Sequence, residues 1–257
     1  MIDEAIRTQI VERLDAIERE YDVRILYACE SGSRVWGFPS LNSDYDVRFI
    51  YARPRDWYFS INVEDKRDVI ERPINDLLDI NGWDVRKALR LLRKSNPPLL
   101  EWLASPIVYR DDRAFTDGIR AAIPAWYSPV ASFYHYLNMA RNNDRTHLKG
   151  DIVRAKKYFY VLRPLLAVLW IEQDLGMVPI EFEQLVQRCL TDPELHAAVD
   201  DLVERKRGGE ELADVPRIDV ISDFIDAQME RLATKTMPGP RAVGTDLDRL
   251  FRAVVDR

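Results

Sequence analysis

The segment 44–50, Asp-Tyr-Asp-Val-Arg-Phe-Ile, constrains the fold most strongly because its pattern is typical of a β-strand. Side chains alternate between the two faces of a strand, so Asp44 and Asp46 share one face, and Tyr45, Val47 and Phe49 share the other. Neighbouring carboxylates repel each other unless a cation lies between them. Because Mg²⁺ prefers oxygen ligands, the pattern indicates a divalent-metal site.

A Gly-Ser turn precedes this strand by ten residues. Residues 23–29 are apolar and partly β-branched, as in a buried strand, and Gly32 and Ser33 follow it closely. Glycine lets a backbone approach a ligand, so the N–H groups of this turn can bind a phosphate. A metal beside a phosphate indicates nucleotide chemistry, which is the first functional hypothesis.

The composition argues against several other classes of protein. The 257 residues are 47% apolar and 31% charged, as in an ordinary globular protein, and no apolar run is long enough to span a bilayer. The N-terminal segment has no apolar signal core, so we expect a cytoplasmic protein without a membrane partner. Two cysteines, Cys29 and Cys189, and three scattered histidines argue against a thiolate or imidazole metal site.

Charge is distributed unevenly along the chain. The net charge is −6 and the pI is about 5.3, which argues against a general nucleic-acid coat protein. Residues 85–94 contain five basic side chains and no acidic one, whereas residues 170–230 contain sixteen acidic and five basic side chains. A local basic segment can bind phosphates, but the acidic later half would repel a long nucleic-acid strand.

The apolar periodicity predicts an α+β protein. A first amphipathic helix is followed by strands at 23–29, 44–51, 67–72 and 77–80, and almost every segment after residue 112 has a helical pattern. We therefore predict an N-terminal domain with a small mixed sheet over 1–112 and an all-helical domain over 113–257. The exposed charged cluster at 111–113 marks the expected boundary.

The order of strand, Gly-Ser turn, short helix and Asp-x-Asp strand resembles the DNA-polymerase-β-like nucleotidyltransferases. The matching residues are Gly32, Ser33, Asp44, Tyr45, Asp46 and Val47, and Ser31 departs from the apolar residue usual before the glycine. Within that superfamily the chain is similar to the RNA-repair-pathway (RlaP) branch, strongly to about residue 171 and weakly beyond it. This narrower resemblance is carried by 30–37, 43–49, 94–97, 101–102 and 156–158, with Asp79, Arg86, Lys87 and Arg163.

The resemblance implies a nucleotidyltransferase fold for 1–112 and a two-metal site made of three carboxylates. Asp44 and Asp46 supply two of them, and such enzymes take a third from a neighbouring strand. We place the third at Asp79 in the predicted strand 77–80. Asp76, in a turn, and Asp84, at a helix start where it can cap the helix, are the alternatives. The three chosen aspartates would be catalytic, with Mg²⁺ or Mn²⁺ as cofactor.

The resemblance also implies a nucleoside triphosphate as the donor substrate. Gly32, Ser33 and Arg34 would hold it at the turn, and Lys157 and Tyr158 are candidates for contacts from the helical domain. Plainer interpretations stay open. Lys157 can belong to a solvated helix face, and the aromatic run around Tyr158 can be helix core.

The sequence leaves the acceptor open. The resemblance suggests a hydroxyl at an RNA end, with pyrophosphate as the second product. A small molecule, or a protein hydroxyl that receives AMP, is an alternative acceptor. A nucleotide-binding or protein-interaction module without turnover is the alternative from another class. The sequence predicts neither the preferred base nor the oligomeric state.

Overall fold

A computed structural model describes residues 2–40, 42–74, 77–209, 214–239, 244 and 246–257. The chain divides into two compact units. The first, here called the sheet unit, comprises Met1–Val35, Asp44–Tyr127 and Ala242–Arg257. The second, here called the helical unit, comprises Trp36–Ser43 and Ser128–Arg241. This α+β organisation confirms the predicted fold class.

The secondary structure alternates between short strands and helices in the first half and is mainly helical afterwards. The strands are β1 (Arg24–Ser31), β2 (Tyr45–Ala52), β3 (Val69–Glu71), β4 (Leu78–Asp84), β5 (Val108–Asp111), β6 (Ile152–Arg154) and β7 (Asp214–Pro216). The helices are α1 (Glu4–Tyr21), α2 (Ser33–Trp36), α3 (Arg55–Tyr58), α4 (Val85–Arg93), α5 (Pro97–Ala104), α6 (Arg113–Trp126), α7 (Pro129–His147), α8 (Lys156–Glu172), α9 (Phe182–Cys189), α10 (Pro193–Arg207), α11 (Asp219–Arg231) and α12 (Leu247–Val255). None of these described helices is both long and apolar enough to cross a membrane.

A mixed five-stranded sheet forms the centre of the sheet unit, in the spatial order β3-β4-β2-β1-β5. β2 runs parallel to β4, and the other neighbouring pairs are antiparallel. Apolar side chains are buried on both faces, against α1 on one and against α4, α5 and α6 on the other. Along β2, Val47 and Phe49 belong to the first of these cores and Ile50 to the second. By the same alternation Asp46 and Arg48 point to the face that carries Ile50.

The fourth strand is longer than its sequence pattern predicts. The pattern ends this strand at residue 80 and makes Gly82 a stop, but β4 continues to Asp84. Gly82 lies opposite Phe49, and a Cβ at this position would be 2.4 Å from the Phe49 ring. The absence of a side chain at Gly82 therefore leaves room for the Phe49 ring, and the glycine does not end β4.

The helical unit is built around α8, whose apolar side chains pack with those of α7, α9, α10 and α11. An antiparallel pair, β6 and β7, belongs to this part of the chain, and the helical pattern does not predict it. Residues 36–43 join the same unit through Phe38, which is buried against Phe159 and Phe182. The ring centroids lie 4.6 and 5.3 Å from that of Phe38.

The division into units differs from a boundary at residues 112 and 113. Helix α6 lies after that boundary, yet Phe115 and Ile119 are buried in the core of the sheet unit. Helix α12, at the other end of the chain, adds Leu247 and Val254 to the same core. The sheet unit thus depends on segments far beyond residue 112.

Candidate active site

The Gly-Ser turn brings the backbone against a carboxylate. β1 ends at Ser31, and Gly32 follows with φ +65, a left-handed conformation that glycine adopts without strain. A Cβ at Gly32 would lie 2.0 Å from Asp46 Oδ2 and 2.8 Å from its Cγ. Ser33 then opens the four-residue helix α2. The glycine is needed both for its conformation and for the space that the Asp46 carboxylate occupies.

The parallel pairing of β2 and β4 sets two aspartates side by side. Asp46 and Asp79 are partners in the register, so their side chains leave the sheet on the same face. Arg48, two residues after Asp46, donates from Nη2 to Asp46 Oδ1 at 2.8 Å and to Asp79 Oδ2 at 2.7 Å. One nitrogen of the Arg48 guanidinium therefore donates hydrogen bonds to both carboxylates.

This donor set fits a metal cation, because two carboxylates already converge on one positive nitrogen. Asp44 lies just before β2 and is exposed, and its charge acts on Asp46. Among the described residues, no group of three or more His, Cys, Asp or Glu side chains is gathered as a metal cluster would require. The structure brings Asp46 and Asp79 together, and the participation of Asp44 stays a prediction.

Burial governs the electrostatics around this pair. It raises the pKa of Asp46, and the nearby charges of Asp79 and Asp44 raise it further, while Arg48 acts in the opposite direction. Burial also raises the pKa of Glu30 to about 7. The Glu30 side chain is fully buried and accepts hydrogen bonds from the Asp46 N–H at 3.0 Å and from the Tyr109 hydroxyl. Glu30 thereby holds the backbone of Asp46 in place.

Arg34, which follows the Gly-Ser turn, contacts residues of both strands that flank the turn. Its guanidinium lies 3.7 Å from the centroid of the Tyr45 ring, and its Nε donates to the Asp44 carbonyl oxygen at 3.2 Å. The same Nε is 3.8 Å from Glu30 Oε1. With 15% of its side chain exposed, Arg34 ties the segment before β2 to the end of β1, and its contact with a nucleotide stays a prediction.

The alternatives for the third carboxylate have different positions. Asp84 is buried and caps α4, accepting from the Arg86 N–H at 2.8 Å and from the Tyr58 hydroxyl at 2.8 Å. Its position five residues along β2 and β4 from the Asp46–Asp79 pair suits that capping role. Asp76 lies outside the described residues. Asp79 is therefore the alternative that the sheet register pairs with Asp46.

The two candidates from the helical unit have unlike surroundings. Lys157 is half-buried on α8, and burial, with Lys156 and Arg154 nearby, lowers its pKa. Tyr158 is fully buried, and its hydroxyl lies 2.9 Å from Ser222 Oγ and accepts from the Ile218 N–H at 2.9 Å. Tyr158 is thus part of the helix core and has no exposed surface to offer a nucleotide, whereas the nucleotide contact of Lys157 stays a prediction.

The sequence hypothesis assigned no role in the site to Arg48 and Glu30, although both lie in the segments that carry the family resemblance. Arg48 could have been found by extending the alternation of Asp44 and Asp46 by one more step. Glu30 has no comparable signal, because a glutamate at the end of a strand gives no sign of full burial.

Comparisons with known proteins show the family to which the chain belongs. The model of the RlaP family, described as the RNA repair pathway DNA polymerase beta family, matches residues 6–256. The "Uncharacterized protein YcgL" of Bacillus subtilis (strain 168) is 50% identical over 254 residues, which cover 98% of this chain and 97% of that protein.

A solved structure, that of a nucleotidyltransferase-like protein from Exiguobacterium sibiricum 255-15, is similar over 90% of this chain and 82% of that chain. Its identity is 11% and its TM-score 0.34, so this likeness carries no argument about the site. The family match, by contrast, extends over nearly the whole chain and includes every residue of the Gly-Ser turn and of the aspartate pair. The protein belongs to the RlaP family of DNA-polymerase-β-like nucleotidyltransferases.

Proposed function

We propose that this protein transfers a nucleoside monophosphate from a nucleoside triphosphate to a hydroxyl group at an RNA end, with Mg²⁺ as cofactor and pyrophosphate as second product. The observation that carries the proposal is the pairing of Asp46 with Asp79 beside the Gly32 turn. Two carboxylates that converge on one cation, next to backbone free of a side chain, suit metal-assisted phosphoryl transfer.

The metal would be held by Asp46 and Asp79, with Asp44 as the exposed third ligand. When bound, it would supply charge neutralisation for the triphosphate and a lowered pKa for the attacking hydroxyl. The hydroxyl oxygen forms a bond to the α-phosphorus, and the bond from that phosphorus to the oxygen of the leaving pyrophosphate breaks. Asp79 is the residue proposed to take the hydroxyl proton.

The remaining donor contacts are proposed for the turn. Gly32 and Ser33 are half-buried, and the Gly32 backbone and the Ser33 hydroxyl are proposed to hold the β- and γ-phosphates. Arg34 is proposed to add positive charge for the triphosphate.

RNA is the acceptor we favour because the family to which the chain belongs is described by an RNA repair pathway. The acidic character of residues 170–230 fits a short contact at an RNA end better than a long bound strand.

Label transfer from α-³²P-labelled ATP, GTP, CTP and UTP tests the proposal. The full chain is incubated with Mg²⁺ and, in separate reactions, with RNA of defined ends, a protein lysate or a small-molecule pool. We expect label on RNA, and we expect Asp46→Asn and Asp79→Asn to lower its transfer by at least about a hundredfold. Asp68→Asn is the control, because Asp68 is a carboxylate of the same unit that pairs with Lys87 at 2.8 Å.

Two outcomes would contradict the proposal in different ways. Label on protein or on a small molecule, with none on RNA, would retain the nucleotidyltransferase and reject the acceptor. Equal pyrophosphate release by the wild type and by Asp46→Asn with every acceptor would reject the catalytic role of the aspartate pair.

A further inference from the structure

Arg48 is bound to both aspartates of the pair. Its Nη2 donates to both carboxylates, at 2.8 and 2.7 Å. Its Nη1 donates to the carbonyl oxygens of Asp79 at 2.9 Å and Val47 at 3.1 Å. The side chain is 15% exposed. Four hydrogen bonds therefore hold this guanidinium between β2 and β4.

The guanidinium is the countercharge of the pair. The side chains of Asp46 and Asp79 are 28% and 25% exposed, so water screens their mutual repulsion only in part. An arginine does not lose its proton in proteins, so Arg48 can leave the carboxylates only by moving. A divalent cation that binds Asp46 Oδ1 and Asp79 Oδ2, the two oxygens that Arg48 Nη2 holds, must therefore displace Arg48 from them.

We propose that Arg48 competes with divalent metal for Asp46 and Asp79, and that a nucleoside triphosphate relieves this competition. The proposal rests on the proposed function, because it takes these two aspartates as metal ligands. Phosphate oxygens offer a planar guanidinium the same bidentate, charge-assisted hydrogen bonds that carboxylates offer. Arg48 thus gains a new partner when the triphosphate binds.

The consequence is a coupling between the two ligands. Metal alone binds weakly because it must separate Arg48 from its carboxylates, whereas metal and triphosphate bind cooperatively. By linkage, each ligand strengthens the binding of the other by the same factor. In the absence of both, Arg48 is a positioning residue that keeps the two carboxylates paired and neutralised.

Mn²⁺ binding, measured by electron paramagnetic resonance on the full chain, tests the proposal with and without a non-hydrolysable α,β-methylene triphosphate. Arg48→Gln removes the positive charge and keeps a hydrogen-bond donor. We expect it to bind Mn²⁺ about tenfold more tightly than the wild type without nucleotide, and to gain less when the analogue is added.

Arg110→Gln is the matched control. Arg110 also joins two carboxylates of the sheet unit, those of Asp15 and Glu18, but at another place. We expect its Mn²⁺ affinity, and the gain from the analogue, to equal those of the wild type.

Thermal unfolding gives a readout that does not depend on activity. Without metal, Arg48→Gln leaves two facing carboxylates without a countercharge, so we expect a lower Tm than in the wild type and a larger rise on adding Mn²⁺. Arg48→Lys keeps the charge but lacks the planar guanidinium, so its Mn²⁺ affinity should lie between that of the wild type and that of Arg48→Gln. If Arg48→Gln does not fold without metal, Arg48→Lys carries the comparison.

The outcomes separate this inference from the proposed function. Equal Mn²⁺ affinity in the wild type and in Arg48→Gln, abolished in both by Asp46→Asn, would overturn the competition and leave the metal site intact. Mn²⁺ binding that is insensitive to Asp46→Asn in every variant would overturn the metal site itself, and with it the proposed function.

Discussion

At the scale of single residues, Gly32 has two properties that a replacement would disturb together. Its φ of +65 is costly for a residue with a side chain, and a Cβ would lie 2.0 Å from Asp46 Oδ2. We predict that Gly32→Ala lowers label transfer by about a hundredfold, because a misplaced catalytic group costs that order of rate. The free energy of unfolding should fall by about 1–2 kcal/mol, measured by urea titration.

Gly37→Ala separates backbone strain from displacement of the carboxylate. Gly37 also has a positive φ, +96, but a Cβ there would meet no heavy atom within 4 Å. We expect a similar loss of stability and no loss of transfer. If both alanine variants transferred label equally, the contact between the turn and Asp46 would have no bearing on activity.

Asp84 should give the stability of this protein a specific pH dependence. Burial raises its pKa to about 6, above the usual value for aspartate of about 3.9. Between these values the native state keeps a proton that the unfolded state has lost, so the contribution of Asp84 to stability falls as pH rises from about 4 to about 6. Above that range its contribution is constant.

Replacing Asp84 by Asn removes the titration and keeps an oxygen that can cap α4. Between pH 4 and pH 7, we predict that the wild type loses about 2 kcal/mol more of its free energy of unfolding than this variant does. Urea titrations across this range measure it. Asp192→Asn is the control, because Asp192 also caps a helix but is exposed. Parallel pH curves for Asp84→Asn and the wild type would show that Asp84 does not cause the slope.

Part of the site could be predicted at this scale. The Gly-Ser spacing and the strand alternation selected Gly32 and Asp46, whereas the choice of Asp79 on the neighbouring strand came from the resemblance to the nucleotidyltransferases. Arg48 follows from the same alternation, yet a basic side chain among expected metal ligands runs against a metal-site pattern. The buried Glu30 carboxylate accepts a hydrogen bond from Tyr109, which is 79 residues away, and no local pattern contains such information.

At the scale of secondary-structure elements, α8 is fastened to α11 through the hydroxyl of Tyr158. This hydroxyl lies near Ser222 and accepts from the Ile218 N–H at the start of α11. We predict that Tyr158→Phe lowers the free energy of unfolding by about 1–3 kcal/mol, because buried polar groups lose their partner. Nucleotide binding, measured by calorimetry with the triphosphate analogue, should not change.

The opposite result for Tyr158→Phe would indicate that Tyr158 contacts the nucleotide. Weaker triphosphate binding with unchanged stability would mean that its hydroxyl meets the nucleotide. Ser222→Ala provides the comparison from the other side of the hydrogen bond, and should destabilise the chain without affecting nucleotide binding.

The elements themselves were partly predictable. Long amphipathic helices such as α1 and α10 have a clear period, the strand before the Gly-Ser turn is a continuous apolar run, and the strand after it alternates. β5, with four residues, and β6 and β7, with three each, are too short to show a period. Gly82 misleads for a different reason, since the Phe49 ring that needs its space lies on another strand.

At the scale of the whole molecule, both units are assembled from separate stretches of chain. In the sequence, residues 36–43 of the helical unit interrupt the sheet unit between Val35 and Asp44, and α12 adds to the sheet unit from the far end of the chain. A domain boundary predicted from local composition divides the chain at one point only. Charge and polarity indicate which segments are exposed, but they do not indicate which distant segments pack together. The extent of each unit follows from contacts between distant segments, which one sequence does not contain.

Removing α12 tests this assembly. Leu247 and Val254 are buried, Leu250 packs so closely on α6 that a Cβ at Gly118 would be 2.7 Å from it, and Phe251 lies 5.1 Å from the Tyr58 ring. Since each such side chain contributes about 1.5–3 kcal/mol, a chain ending at residue 245 should lose about 5 kcal/mol or more.

Near-UV circular dichroism during urea unfolding can follow this loss, because Trp83 and Trp102 stack in the sheet unit with ring centroids 3.7 Å apart. A chain that lacks only residues 256–257 is the control. Those residues are exposed and form ion pairs with Arg55 and Asp112, which contribute little to stability. The control should unfold like the full chain, whereas the chain without α12 should lose the tryptophan signal at much lower urea. An unchanged midpoint in the chain without α12 would mean that the sheet unit is complete without its last segment, and that its core closes on α4, α5 and α6 alone.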